Sequence, residues 1–322
     1  MLGIALVLQA TLTIGVAGPA ASPEYLPVRV AEAAGYFADE KLSVTLRSFR
    51  SGADAAEALA AGRVELAAAS LDAALRLGHA RGAPPRLVFG LTAAPPVALV
   101  VPVARQAEVR QLADLEGKTV GITAPGTPEA EALSALLARA EVRPERVTTV
   151  SYGERRLATA LAAGEVPAAV IGDPWLTRLV RDGQVAVLAD LRKAAEAGRW
   201  LGGESVHAAV FLAAGSPLGA AELQPLARAL LRGLRRVQTA PAGELAALLG
   251  RTAEGDAEEL VLRLEGAREA YLARGLVTEN ALEGGLEIAQ GRARLPAVLR
   301  LKPLEQLLFL DPLRQAQRSL GR

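Results

Sequence analysis

Two hydrophobic patterns alternate along this chain, and the alternation occurs twice. The short β-branched runs "LTIGVA" (12–17) and "KTVGIT" (118–123) read as strands that end in Gly/Pro turns. A helix is predicted after each, over 27–37 and 129–140. Second strands follow at "SVTLRSF" (43–49) and "RVTTVSY" (146–152), then the helices "ADAAEALAAG" (53–62) and "ERRLATALAAG" (154–164). Gly62 and Gly164 stand where a helix C-terminus calls for a left-handed residue. Third strands are expected at "VELAAAS" (64–70) and "PAAVIGD" (167–173).

The two halves also resemble each other residue by residue. "TIGVAGP" (13–19) matches "TVGITAP" (119–125), and "VTLRSF" (44–49) matches "VTTVSY" (147–152). "ALAAGRVELAAASLD" (58–72) matches "ALAAGEVPAAVIGDP" (160–174), in the same order and at nearly constant offset. Strands alternating with helices imply parallel sheets with right-handed crossovers. The expected fold class is therefore α/β, with two Rossmann-like lobes joined by two hinge crossings. Residues 97–103 and 205–214 are the candidate crossing strands. Lobe one is expected over 11–100 and 206–322, and lobe two over 101–205. From about Ser216 the chain reads as helical, in segments at 220–238, 242–250 and 256–275, with a last helix near 304–310. Ligands of open α/β sheets bind at the carboxyl ends of the strands, so two facing lobes make a cleft there.

Composition narrows the chemistry. The 322 residues exceed what one compact core usually needs, and 51% hydrophobic with 22% charged residues describes a folded chain. Aromatic residues are 3%, which leaves Leu, Val and Ala to fill the core. Lys+Arg 36 against Asp+Glu 35 provides no basic excess for nucleic acid. The absence of cysteine excludes disulfides, thiolate zinc sites, cysteine nucleophiles and a lipid anchor on cysteine. Two histidines do not make a histidine-rich metal site, and neither a GxGxxG loop nor a P-loop is present, so no cofactor is expected. The apolar run 2–8 reads either as a truncated signal peptide within 1–10 or as an extension of the first strand.

The segment from Tyr25 to Ser70 resembles the nitrate, sulfonate, taurine and thiamine-pyrimidine-precursor binding proteins of ABC importers. The likeness rests on Gly35-Tyr36-Phe37 after an apolar helix, the Ser51-Gly52 loop, Gly62, and Glu65 where that family more often has Asp. "LADLEGKTVGITAPGTPEAEALSALLARA" (112–140) is similar to the opening of the family's second lobe. The resemblance implies a type II periplasmic-binding-protein fold with a hinge. It further implies capture of a small anionic or polar organic ligand, such as a sulfonate, nitrate or pyrimidine. Permease subunits of the importer are the implied partners, the protein a monomer, and its location periplasmic or extracytoplasmic. An enzyme on the same fold, of thiamine-pyrimidine or menaquinone biosynthesis, is the alternative, and a regulator's ligand-sensing domain is a further one.

Candidate ligand contacts follow from placing these loops at the cleft. Ser51 and Gly52 open a helix, where free backbone N–H groups hold an anion or a carbonyl; simple capping explains them equally. Gly126 and Thr127 precede the first helix of lobe two and carry the same two readings. Ser22 and Tyr25 lie in the loop after the first strand, and Ser70 ends the third. Asp173 and Trp175 occupy the matching place in lobe two, as helix cap or ligand contact and as stacking or core residue respectively. His207 sits on the second crossing strand, where a structural hydrogen bond competes with a ligand contact. Arg50, Arg155 and Arg156 read as a solvated face or as partners of an acidic ligand group, and His79 as a helix-end residue. The spacing of Glu24, Asp72 and Glu154 sets up no acid/base pair, so no catalytic and no metal residue is expected.

Overall fold

The computed structural model describes residues 11–18, 22–250, 257–290 and 306–320, which leaves the expected leader 1–10 outside the described residues. Among the described residues, ten strands form two five-stranded sheets. Sheet one holds β1 (Leu12–Ala17), β2 (Val44–Phe49), β3 (Leu66–Ser70), β4 (Arg86–Thr92) and β10 (Ala208–Leu212), in the order β2-β1-β3-β10-β4. Sheet two holds β5 (Val97–Pro102), β6 (Thr119–Ile122), β7 (Thr148–Ser151), β8 (Ala168–Gly172) and β9 (Val185–Asp190), in the order β7-β6-β8-β5-β9. The two orders superimpose: β1, β2, β3, β10, β4 stand where β6, β7, β8, β5, β9 do. The repeat in the sequence is thus a repeat of the fold.

The sheets are mixed, not parallel as expected. β10 runs antiparallel to β3 and β4, and β5 antiparallel to β8 and β9. The reason is topological. β4 and β9 end at the cleft, so the chain that leaves each one enters the other lobe from the cleft side and must run away from it. Neither β4 nor β9 is among the strands expected from the sequence. The expected boundary at 100/101 falls inside β5, so residues 97–100 go with lobe two.

Helices cover both faces of each sheet. In lobe one, α1 (Leu26–Ala33) breaks at Gly35, whose φ is 72°, before the single turn α2 (Tyr36–Asp39). α3 (Gly52–Ala60) and α4 (Leu71–Ala80) follow β2 and β3. In lobe two, α5 (Pro128–Arg139), α6 (Glu154–Ala162) and α7 (Trp175–Arg181) follow β6, β7 and β8, and α8 (Ala194–Leu201) lies in the second crossing. Gly62 and Gly164 take φ of 67° and 68° just past α3 and α6. The recurring strand glycine is a packing requirement. A Cβ on Gly121 would lie 2.4 Å from Leu157 Cδ1, and one on Gly15 3.0 Å from Phe49.

The C-terminal helices return to lobe one. α9 (Ala220–Thr239) lies against α1, with a Cβ on Gly233 only 2.4 Å from the Pro27 carbonyl oxygen. Arginines one turn apart on α9 clasp the Gly-Tyr-Phe segment. Arg228 pairs with Glu40 at 2.6 Å, Arg232 with Asp39 at 2.8 Å and Arg232 also covers the Tyr36 ring at 4.0 Å. Phe37 is buried in the core. That family-like motif is therefore a docking point for α9. α10 (Ala242–Leu249), α11 (Ala257–Gly266) and α12 (Glu279–Gln290) complete this side. The helix expected over 256–275 stops at Gly266, because Tyr271 bridges to Thr92 and Arg274 turns with φ 60°. The last helix is α13 (Asp311–Leu320); of the helix expected near 304–310, Leu308 instead bridges to Leu87 in β4.

The cores are mostly aliphatic, with Phe89 and Phe211 the largest fully buried side chains. Ile14, Leu66, Phe89, Phe211 and Leu226 centre lobe one, while Leu99, Val120 and Leu136 fill one face of sheet two and Val100, Leu157 and Ile171 the other. Burying a side chain of this size contributes about 1.5–3 kcal/mol each. No helix among the described residues is long and apolar enough to cross a membrane.

Candidate functional site

The carboxyl ends of β1, β2 and β3 meet those of β6, β7 and β8 across the two crossings. The first crossing is the short segment Ala93–Ala94–Pro95–Pro96, and the second runs through α8 to His207. They are tied to each other and to the sheet end. Ser205 Oγ donates to the Ala93 carbonyl at 2.7 Å, and His207 N–H donates to the Thr92 carbonyl at 2.9 Å.

On the lobe-one side, three residues expected at the cleft converge. A Cβ on Gly52 would lie 3.4 Å from Ser70 N, Ser70 Oγ and the Tyr25 hydroxyl oxygen. Ser70 caps α4 by accepting from Ala73 N–H at 3.4 Å. Tyr25 is 3% exposed, and its hydroxyl makes no hydrogen bond among the described residues. Burial, reinforced by the charge of Glu24, pushes the Tyr25 phenol well above its ordinary value, so it stays a neutral donor and acceptor. Ser51 takes the capping role: its Oγ accepts from Asp54 N–H at 3.1 Å and the residue is exposed. Ser22 Oγ donates to Glu24 Oε2 at 3.4 Å.

His207 is buried at the floor of the cleft. Its Nε2 is 2.8 Å from Glu24 Oε1 on lobe one, and its Nδ1 is 3.5 Å from Glu131 Oε2 on α5 of lobe two. The turn carrying Glu24 is held by Tyr271, whose hydroxyl donates to the Pro23 carbonyl at 2.8 Å. A narrow space beside His207, bounded by Leu71, Asp72, Glu131 and Gly285, has a free volume of about 10 Å³, roughly one water-sized sphere.

On the lobe-two side, the start of α5 is filled from within. Glu129 accepts from Thr123 Oγ1 at 2.9 Å, and its carboxylate lies over the end of β8, 3.4 Å from where a Cβ on Gly172 would stand. Burial pushes the Glu129 carboxyl above its ordinary range, hydrogen bonds pull it down, and the charge of Glu24 adds to the rise. Thr127 turns inward to the Ala124 carbonyl at 2.8 Å and to Thr123 Oγ1 at 3.1 Å, and Gly126 is exposed with φ 75°. The α5 terminus is therefore not the open anion seat that Gly126 and Thr127 suggested. Asp173 is likewise engaged from within the lobe. Its side chain is 1% exposed, accepts from Thr177 N–H and Oγ1, and pairs with Arg192 at 3.6 Å. Trp175 is half-buried beneath the Arg178 guanidinium, 4.7 Å from its ring. Arg178 continues to Glu259 of α11 in a two-bond pair at 2.7 and 3.0 Å, a contact between the lobes.

Glu129 and Glu131 are site residues that the sequence does not single out. There they are acids in the first turn of a helix, which the helix dipole explains without a ligand. Arg50, Arg155 and Arg156 are exposed, with Arg156 5.9 Å from the Tyr152 ring. A larger groove of about 410 Å³ lies on the outer edge of lobe two, along Val101, Val109 and Ala186–Leu188. It contains none of the strand-end residues.

Two α/β lobes around a cleft, crossed twice and each with an antiparallel fourth strand, define a periplasmic-binding-protein fold. The chain belongs to the NMT1/THI5-like family, whose sequence profile matches residues 22–193, more than half of its length. Solved structures share the fold. A protein from Bordetella bronchiseptica RB50 aligns with TM-score 0.77 and 22% identity over 98% of this chain and 99% of that one. The alkanesulfonate-binding protein SsuA from Xanthomonas axonopodis pv. citri, bound to MOPS, aligns with TM-score 0.65 and 20% identity over 94% and 98%. The periplasmic nitrate-binding protein NrtA from Synechocystis PCC 6803 aligns with TM-score 0.66 and 14% identity over 97% and 89%. No curated protein matches the sequence significantly.

Proposed function

We propose that the protein is the solute-binding component of an ABC importer, capturing a small polar molecule between its lobes without transforming it. One observation carries this reading. At the strand ends of lobe one, the Tyr25 hydroxyl stands unpartnered beside Ser70 and Gly52, while lobe two contributes the α5 carboxylates to the same cleft. A hydroxyl that makes no hydrogen bond to the described residues is available to bond a ligand in the cleft. The sulfonate- and nitrate-binding proteins among the structural neighbours support the reading.

The proposed mechanism is hinge closure. Separating the lobes breaks side-chain contacts such as Arg178 to Glu259, Lys193 to Glu269 and His207 to Glu131. The bonds from Ser205 to Ala93 and from His207 N–H to Thr92 stay within the crossings and can act as the pivot. In this reading the closed form is presented to membrane permease subunits by a monomer outside the cytoplasmic membrane, with no cofactor.

A thermal-shift screen of ligand-free protein tests it. A ligand at about 100 times its dissociation constant stabilises by roughly 2.7 kcal/mol. The expected result is a saturable hit, recovered unchanged by mass spectrometry, with compaction in small-angle scattering. Chemical conversion of the hit would replace this reading with that of an enzyme on the same fold.

A further inference from the structure

The cleft is unlike a seat for a free anion. Helix N-termini bind anions because their N–H groups point outward unpaired. At α5 that position is taken by the chain's own Glu129, anchored by Thr123 Oγ1 and lying over Gly172. Glu24 projects from lobe one onto His207 at 2.8 Å, and Glu131, two residues after Glu129 on α5, is 3.5 Å from the same ring. Among the described residues, no Arg or Lys lies within ion-pairing distance of Glu24 or Glu129. The side chain that faces Glu24 is His207, at 2.8 Å. An arriving anion meets repulsion, and an arriving cation relieves it. The second, independent observation is Tyr25: a hydroxyl on a residue 3% exposed, unpartnered, directed at Ser70 and Gly52 and within the field of Glu24. It is an acceptor for an N–H donor.

We propose that the cleft selects a small organic cation carrying N–H donors, an amidinium or a primary ammonium, with Glu129 and Glu24 as its counter-charges and Tyr25 as a further acceptor. This rests on the reading that the cleft is a solute site, and it reverses the anionic preference that the helix ends alone suggest. The N–H groups matter as much as the charge. Charge-assisted hydrogen bonds to carboxylates are directional, and the Tyr25 oxygen accepts only from a donor.

The test is isothermal titration of the full chain with agmatine, benzamidine, choline, ethanesulfonate and sodium nitrate. Agmatine or benzamidine is expected to saturate one site, with choline at least about 10-fold weaker for want of N–H donors. Glu129→Gln is expected to weaken that binding by about 10- to 100-fold, the loss of one charge-assisted hydrogen bond. Tyr25→Phe, which removes a hydroxyl with no internal partner and so leaves folding intact, is expected to weaken it by up to about 10-fold. Binding of ethanesulfonate or nitrate without either N–H cation overturns the inference but leaves solute capture standing. Silence towards all five probes counts against both. Agmatine binding that neither variant alters, or choline binding as tightly as agmatine, also overturns it.

Discussion

The two lobes have one backbone plan and two chemistries at the cleft. Ser70 of lobe one and Gly172 of lobe two occupy the same place at the end of the third strand. So do Leu71 and Asp173 one residue later. In lobe one the serine caps α4 and leaves a corner with Gly52 and the unpartnered Tyr25 hydroxyl. In lobe two the Glu129 carboxylate lies over Gly172, and Asp173 is bound to Thr177 and Arg192. A repeated backbone reproduces helix ends that point at a ligand. What those ends offer is set by side chains from neighbouring segments, which have diverged.

Substitutions at these paired positions can break or sharpen the comparison. The largest effect is expected at Asp173→Ala. It removes the α7 cap and one partner of Arg192, whose side chain is 9% exposed and keeps only Asp190. A loss of about 2–4 kcal/mol is expected in urea unfolding. A loss below about 0.5 kcal/mol would mean that lobe two's strand end is not held by this network. Ser70→Ala, which removes the α4 cap of lobe one, should cost about 1 kcal/mol, the worth of a helix cap.

Glu129→Gln is expected to change stability in the opposite direction. Because the folded state raises the Glu129 pKa above its ordinary 4.5, ionising it costs folding free energy. The variant should therefore melt higher than the wild type at neutral pH. The gap should close as pH falls through the raised folded value and below 4.5, where the carboxyl becomes protonated in both the folded and the unfolded state. A gap that persists unchanged below about pH 4 would show that packing, not charge, separates the two proteins. The smallest effect is expected from Tyr25→Phe, within about 0.5 kcal/mol of zero in the ligand-free protein, since no internal hydrogen bond is lost. A larger loss would give the hydroxyl a structural role and weaken the contrast between the lobes.

Much of the scaffold is legible in the amino-acid order alone. The paired strands, the helices stopped at Gly62 and Gly164, and the crossing strands near Val97 and Ala208 follow from local signals: β-branched runs, glycine at a left-handed position, and a repeat in register. β4 and β9 are not legible, because "RLVFGLT" and "VAVLAD" are short apolar runs that periodicity alone does not separate from buried helix. The direction of β5 and β10 is hidden for a different reason. A strand's sequence does not encode whether its neighbour runs with it or against it, and only the entry point from the cleft decides that. At the site, Tyr25, Gly52 and Ser70 can be placed together because each follows a strand end. The role of Gly35-Tyr36-Phe37 cannot, since its partners Arg228 and Arg232 are nearly 200 residues away in α9.

By itself the sequence determined the two-lobed α/β plan, the cleft at the strand ends and the family, because these depend on periodicity, turn residues and an internal repeat. Tertiary structure alone decided the chemistry of the cleft. Glu24, Glu129 and His207 come from three segments, and their mutual fields arise only when folding removes the water between them.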